Sequence, residues 1–344
     1  MELILDIALL ALLLVTAAAI AWTRDLFAAA MLAGIYGLLS ASFFMTMGAV
    51  DVAFTEAAVG AGISPLLILM TLALCGRRQR AHPTRALAAL LLVATVGALL
   101  VAATLDMPAF GAAEAPAHLH VAPHYIGESF AEIGIPNIVT SVLASYRAFD
   151  TLGEVVVIFT AGLGVLALLA GGRGEVPLPN PVAAVADAQR QLVLEVVAKI
   201  LIAPILIYAL YVQFHGEYGP GGGFQAGVIF AVGFILYGLV FGLDAVRRVA
   251  SSGLVQMLAA VGVLIYGSVG LLGMATGRNF LDYGGLAADP VSGQHIGIIA
   301  IELGVGITVA AVMLLVFYLF SEQLLKSQRG AAAPAGKSIT GRAG

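Results

Sequence analysis

The chain has 344 residues, 61% hydrophobic and only 10% charged, where an ordinary soluble domain carries about 25% charged residues. Its apolar residues run on without interruption for the ~20 residues that a bilayer span requires, which excludes a soluble globular fold. A formal charge of −4 points to neither nucleic acid nor an acidic partner, and one cysteine, Cys75, excludes an internal disulfide.

Taken in order, the apolar runs predict an all-α polytopic membrane protein with about nine transmembrane helices. They lie near 3–22, 27–46, 50–75, 84–104, 150–171, 194–213, 222–243, 254–276 and 295–320. Met1-Glu2-Leu3 lacks the basic region and small-residue cleavage site of a signal peptide, so the first run is expected to be a retained helix. Orientation follows from the basic residues, which concentrate on the cytoplasmic side. Once the spans alternate, all but Arg147, Arg278 and Lys199 of the sixteen basic residues fall on one side. That side is expected to be cytoplasmic, with the N-terminus outside and the C-terminus inside.

The connection over 105–149 is long and acidic (Asp106, Glu114, Glu128, Glu132) and is expected outside. Its segment Ile135-Pro-Asn-Ile-Val-Thr-Ser-Val-Leu-Ala-Ser-Tyr146 suits a short helix at the membrane surface. His118, His120 and His124 have no cysteine or well-spaced carboxylate beside them, so a solvated loop is the better reading than a metal site. No metal or other cofactor is expected. Residues 173–193, with Pro177, Pro179 and Pro181, read as a cytoplasmic linker, and 326–344 read as a disordered tail. No internal repeat is evident, against the pattern of many single-chain secondary transporters.

The second half is organised around Gln213-Phe-His-Gly-Glu-Tyr-Gly-Pro-Gly-Gly-Gly-Phe-Gln225, a polar hairpin between two apolar runs. A phosphate-cradling loop needs a strand before it and a Lys-Ser/Thr pair after it, and Phe224-Gln225 supplies neither. Pro220, Gly221, Gly222, Gly223 and Phe224 therefore read as a structural turn between two spans.

Ionisable groups inside spans cost about 2.5–3.5 kcal/mol each on insertion scales, so each needs a reason. Asp150 and Glu154 share a helix face at i,i+4 spacing. Two such carboxylates repel, and a shared proton would relieve them; Asp150 could instead only cap its helix. Glu195 and Lys199 have the same spacing in the better order for an ion pair, either self-neutralising or a gated proton carrier. Asp51 and Glu56 are five apart and face different ways; Asp51 could be a helix cap. Glu56 precedes small residues that admit neighbouring helices, and Pro65 should loosen that span in its middle. Glu302 lies among glycines in the last run, where it serves a polar path or an interhelical hydrogen bond. His215 and Glu217 sit at the hairpin mouth, where a histidine can titrate near neutral pH. The ion or proton path candidates are thus Asp51, Glu56, Asp150, Glu154, Glu195, Lys199, His215 and Glu302. No iron–sulfur, haem, nucleotide or hydrolase motif is present in the sequence, which argues against an enzyme.

The run Gln213 to Gly227 (…Phe-His-Gly-Glu-Tyr-Gly-Pro-Gly-Gly-Gly-Phe-Gln-Ala-Gly) resembles the B-type component of Mrp-type multi-subunit sodium/proton antiporters, and is similar to the matching component of membrane-bound hydrogenases. Asp51-Val-Ala-Phe-Thr-Glu-Ala-Ala-Val-Gly60 resembles the three-helix module that ends the large A-type component of those antiporters. Tyr146-Arg-Ala-Phe-Asp-Thr-Leu-Gly-Glu154 resembles the two-helix module that follows it. The resemblance implies a fusion: a three-helix module over 1–80, a two-helix module over 81–172, the linker, and a four-helix B-type module over 194–325. It further implies a multi-pass protein of the bacterial cytoplasmic (inner) membrane, partnered by complex-I-like antiporter subunits and small membrane subunits, moving sodium ions and protons and binding no nucleic acid. Glu56 and Glu154 would be polar-path residues, and Pro220 to Phe224 the shaping turn. The alternatives are a scaffold component without its own ion path, and an ion-translocating component of a hydrogenase-like respiratory complex. The orientation is directly testable. In a Cys75→Ser background, Glu114→Cys should react with an impermeant thiol reagent from outside intact cells and Arg248→Cys only after permeabilisation; the reverse pattern would invert the topology.

Overall fold

A computed structural model describes residues 2–79, 83–109, 111–170 and 192–332. Among them nine helices are long and apolar enough to cross a membrane: Leu3–Trp22, Leu26–Thr46, Val50–Cys75, Ala86–Thr104, Ala148–Leu169, Val193–His215, Gly223–Phe241, Ser252–Ala275 and Pro290–Lys326. They are referred to below as the first to ninth spans. The expected linker lies outside the described residues apart from the start of the sixth helix. The tail region begins as helix, since the last helix continues to Ala332, and 333–344 lie outside the described residues.

The last helix is the axis of the fold. Its 43 residues extend roughly 65 Å at 1.5 Å per residue, far more than one bilayer crossing. It starts five residues before the expected position because Asp289 caps it, accepting from Ser292 N at 2.9 Å and Ser292 Oγ at 2.8 Å. Those bonds hold the Asp289 carboxyl below the usual carboxylate range. Ile298, Ile301, Val305, Thr308, Val309, Val312 and Leu315 are all buried, and the fifth, seventh and eighth spans pack around them with the end of the third. Close approach needs missing side chains: a Cβ on Gly262 would collide with Gly304 O and with Thr308, whose backbone nitrogen is 2.8 Å away. Polar ties fasten the far end, where Tyr318 Oη donates to Ala250 O at 2.8 Å, Gln323 Nε2 donates to Leu169 O at 2.7 Å, and Arg247 pairs with Glu322.

The first three spans form a smaller group. Asp25 caps the second span, accepting from Phe27 N at 3.0 Å, and pairs with Arg77 at 2.8 Å; the guanidinium holds the Asp25 carboxyl below its ordinary range. The two connections also bond through their backbones, Leu26 N to Arg77 O at 2.9 Å and Gln79 N to Arg24 O at 3.1 Å. The third span is loosened as Pro65 suggests, but upstream of it: Ala57–Ile63 is π-helical and Pro65 opens the α-helix that follows. The wide turn answers the missing proline N–H and the bulk of its ring. Against that turn sits the second span, with Gly37 over Gly60 and Gly34 over Pro65. The fourth span contributes no buried residue.

The connection after the fourth span is more ordered than a solvated loop. It contains Pro116–Leu119, Ala122–Ile133 and Ile138–Ser141, then a π-turn over Val142–Tyr146, so His118 and His124 lie on helices. The surface helix expected over 135–146 is present as the last two pieces. Tyr146 Oη donates to Glu132, and burial with that carboxylate pushes the phenol up from its usual value.

Gly262→Ala should destabilise the eighth–ninth span contact by about 1–3 kcal/mol through overpacking, read as an earlier thermal transition in detergent. Gly267→Ala, which meets nothing within 4 Å, should leave the transition unchanged or higher.

Candidate functional site

The hairpin between the sixth and seventh spans folds tightly on itself. Gly222 N donates to Val212 O at 3.0 Å, and Gly219 N donates to His215 O at 3.0 Å. Gly222 has φ +111°, in the region that favours glycine. A Cβ on Gly221 would lie 2.6 Å from Val212 O, and one on Gly216 2.7 Å from Gly222 N. The Pro220-to-Phe224 turn thus needs its glycines for close backbone approach.

The carbonyls left over by the turn are taken by the preceding connection. Asn137 Nδ2 donates to Gly216 O and to Gly219 O, each at 3.0 Å. Asn137 N donates to Glu217 O at 3.0 Å, and Thr140 Oγ1 donates to Gly216 O at 2.6 Å. Asn137 also caps its own short helix, accepting from Val139 N at 3.0 Å. One asparagine therefore closes both its helix and the hairpin.

The third span meets the hairpin from another side, in two rungs one helical turn apart. Gly221 N donates to Asp51 Oδ1 at 3.3 Å, and Gln225 Nε2 donates to Thr55 Oγ1 at 2.9 Å. Asp51 does not cap its helix, whose N-cap is Ala49; its side chain serves the hairpin instead. The last helix closes the third side. Glu302 Oε1 and Gln225 Oε1 lie 3.1 and 3.8 Å from the position a Gly222 Cβ would take, and the Glu302 backbone packs directly on Gly223. Glu302 lies within electrostatic reach of Glu217 and Asp51. Glu217 is 7% exposed; its Oε1 has no hydrogen-bond partner, and its Oε2 is 3.4 Å from His295 Nδ1. Gln213, also buried, turns its side-chain oxygen onto Gly306.

The other sequence candidates lie apart from this cluster. Glu56 folds its carboxyl over Gly60 on the next turn of its own helix. Asp150 pairs with Arg147 at 2.5 Å on the exposed start of the fifth span, and Glu154 is exposed one turn further on. Tyr266, fully buried, donates to Ala148 O at 2.8 Å and lies within electrostatic reach of both Glu154 and Glu302. Glu195 is half-buried near the start of the sixth span. Lys199 is exposed, its ammonium 5.5 Å from the centre of the Phe241 ring. His215 is half-buried and stacks on Tyr211 at 4.8 Å. Among the described residues, no three His, Cys, Asp or Glu side chains stand close enough to hold a metal ion.

Sequence reasoning missed Thr55, Gln213, Gln225, Asn137, Thr140 and His295. Gln213 and Gln225 bracket the hairpin at the ends of apolar runs, and that was a usable signal. Asn137, Thr140 and His295 carry none, because their partners are distant in the chain.

A family model described as a domain related to the MnhB subunit of the Na+/H+ antiporter matches residues 193–315. Models for the MBH components MbhD and MbhE match 11–77 and 88–184. A probable K(+)/H(+) antiporter A/B component of Rhizobium meliloti is 27% identical over 235 residues, 62% of this chain and 23% of that protein. A putative antiporter subunit mnhB2 of Staphylococcus aureus (strain Newman) is 32% identical over 131 residues, 37% of this chain and 92% of that protein. The solved Mrp complex from Dietzia sp. DQ12-45-1b contains a chain that superposes with a TM-score of 0.75 at 28% identity, covering 91% of this chain and 34% of that one. The chain therefore spans about a quarter of the Rhizobium relative and a third of the Dietzia chain.

Asn137→Ala should leave Gly219 O without its donor, while Gly216 O keeps Thr140, at about 1–3 kcal/mol for a buried unsatisfied group. The expected readout is faster protease cleavage within 215–222 while the first three spans keep their thermal transition.

Proposed function

This chain belongs to the family of MnhB-related subunits of Mrp-type antiporters, and from that membership we propose that it is an integral-membrane component of a multi-subunit monovalent cation/proton antiporter in a bacterial inner membrane. Sodium is the cation in this reading, exchanged for protons, and the chain is a transport component rather than an enzyme. The observation that carries the reading is the meeting of Asp51, Glu217 and Glu302 at one hairpin, supplied by three separate stretches of the chain. Three carboxylates gathered among apolar helices, with only His295 as a basic neighbour of one of them, are costly to keep unless protons or cations offset them. Thr55, Gln213 and Gln225 extend the polar surface inward from that point.

Partner subunits are part of the proposal. Glu154 faces outward on an apolar span, and a carboxylate left against hydrocarbon is costly. A neighbouring polar surface, such as complex-I-like antiporter subunits or small membrane subunits provide, would offset that cost. In inverted vesicles holding the full set of subunits, Glu302→Gln and Asp51→Asn should each lower sodium/proton antiport by about tenfold or more while the same subunits co-purify. A loss that only follows the amount of assembled complex would replace the reading with a scaffold.

A second reading, a membrane component of a hydrogenase-like redox complex, is supported by the MbhD and MbhE matches over 11–77 and 88–184. Ion movement that stops without an electron donor would favour it.

A further inference from the structure

Glu217 and His295 stand at the hairpin end of the cluster in an arrangement that the antiporter assignment leaves unexplained. Glu217 is 7% exposed, and its Oε1 is buried with no hydrogen-bond partner. Leaving a carboxylate oxygen in this state costs the desolvation of a charged acceptor. Its other oxygen, Oε2, lies 3.4 Å from His295 Nδ1, too long for a strong charge-assisted bond. The contact thus leaves one oxygen unpaired and the other only loosely held. The His295 side chain is one-third exposed while that of Glu217 is 9% exposed, so the pair runs from an accessible group to an enclosed one. Glu302 lies within electrostatic reach of Glu217 on the inner side.

We propose that His295 and Glu217 form a proton-transfer site joining the aqueous mouth of the hairpin to Glu302. This rests on the antiporter reading and names the group by which protons enter or leave the cluster. In the inward direction, His295 takes a proton from water at Nε2 to become imidazolium. The proton on Nδ1 passes to Glu217 Oε2, leaving neutral imidazole and a carboxylic acid. The acid gives its proton to the Glu302 carboxylate, and the imidazole regains its starting tautomer by proton exchange with water, which takes the Nε2 proton and delivers one to Nδ1. The outward direction reverses these steps, and no other reactant is consumed. The titratable group within electrostatic reach of Glu217 is Glu302 on the last helix, which in turn is within reach of Asp51 on the third span. From the preceding connection, Asn137 contributes neutral bonds to the Gly216 and Gly219 carbonyls. Gly134 leaves the space that the imidazole occupies, since a Cβ there would lie 3.2 Å from His295 Nε2. His215, two residues before Glu217, stacks on Tyr211 instead.

The test uses the assembled complex in inverted vesicles, with proton flux followed by a pH-sensitive dye across a range of pH. Glu217→Gln and His295→Gln should each slow flux about tenfold and remove the same limb of the pH profile. The double variant should be no slower than either single one, because the two groups act as one unit. A double variant slowed by the product of the two effects, about a hundredfold, or either single variant running at the parent rate, overturns the proposal. Subunit co-purification is measured for every variant. Should Glu217→Gln fail to assemble, infrared difference spectra of purified Glu217→Asp and His295→Gln complexes decide. A pH-dependent carboxyl signal altered by both supports the pair, and one unaltered by His295→Gln sinks it. If the parent complex shows no antiport, the functional reading fails by itself, and the infrared titration still reads the pair.

Discussion

The rest of this structure depends on burying a non-helical turn at the edge of an apolar bundle. A turn has backbone donors and acceptors that no helix satisfies, and each one buried without a partner costs about as much as a hydrogen bond is worth. Here the partners come from elsewhere in the chain: Asn137 and Thr140 take the carbonyls of Gly216 and Gly219, and Asp51 takes the amide of Gly221. The same bonds that satisfy the turn bring a carboxylate from the third span to those of Glu217 and Glu302. The structural need of the turn thus gathers three carboxylates at one place.

The long last helix makes this meeting possible. It starts at the hairpin end, passes Glu302 close to Gly223, and continues to the far end, where Arg247 and Glu322 hold it. Glycines along it allow backbones to approach more closely than side chains would permit, which suits packing in lipid, where van der Waals contact replaces the hydrophobic drive. A rigid axis of this length fixes the relative heights of His295, Glu302 and Thr308 in the bilayer. The π-helical turn before Pro65 fits the same picture, since it opens the third span where Glu56 lies.

Three modules that match separate family models are joined in this chain, yet the polar cluster belongs to none of them alone. Asp51 and Thr55 come from the first, Asn137 and Thr140 from the connection in the second, and Glu217, Gln225 and Glu302 from the third. Carriage on one chain keeps these contributors at one stoichiometry. The exposed Glu154, and a fourth span that buries nothing, leave apolar and acidic surface for neighbours.

The sequence by itself determined the spans, the turn and the unusual carboxylates, because these are local signals. Uninterrupted apolar length marks a span, Gly221 to Gly223 mark a break, and Glu302 within Ile301-Glu-Leu-Gly is costly wherever the helix sits. It also identified the family, through motifs long enough to be specific. What it left open was which carboxylates meet. Asp150 and Glu154, the pair most conspicuous by spacing, sit on an outer face with Arg147 as counterion to Asp150, while Asp51 joins Glu302 across about 250 residues of chain. Only the tertiary structure decided that, and likewise the roles of Asn137 and His295. Contacts across such separations are set by how helices pack, and helix packing depends on small residues and shape that leave no periodic trace in the chain.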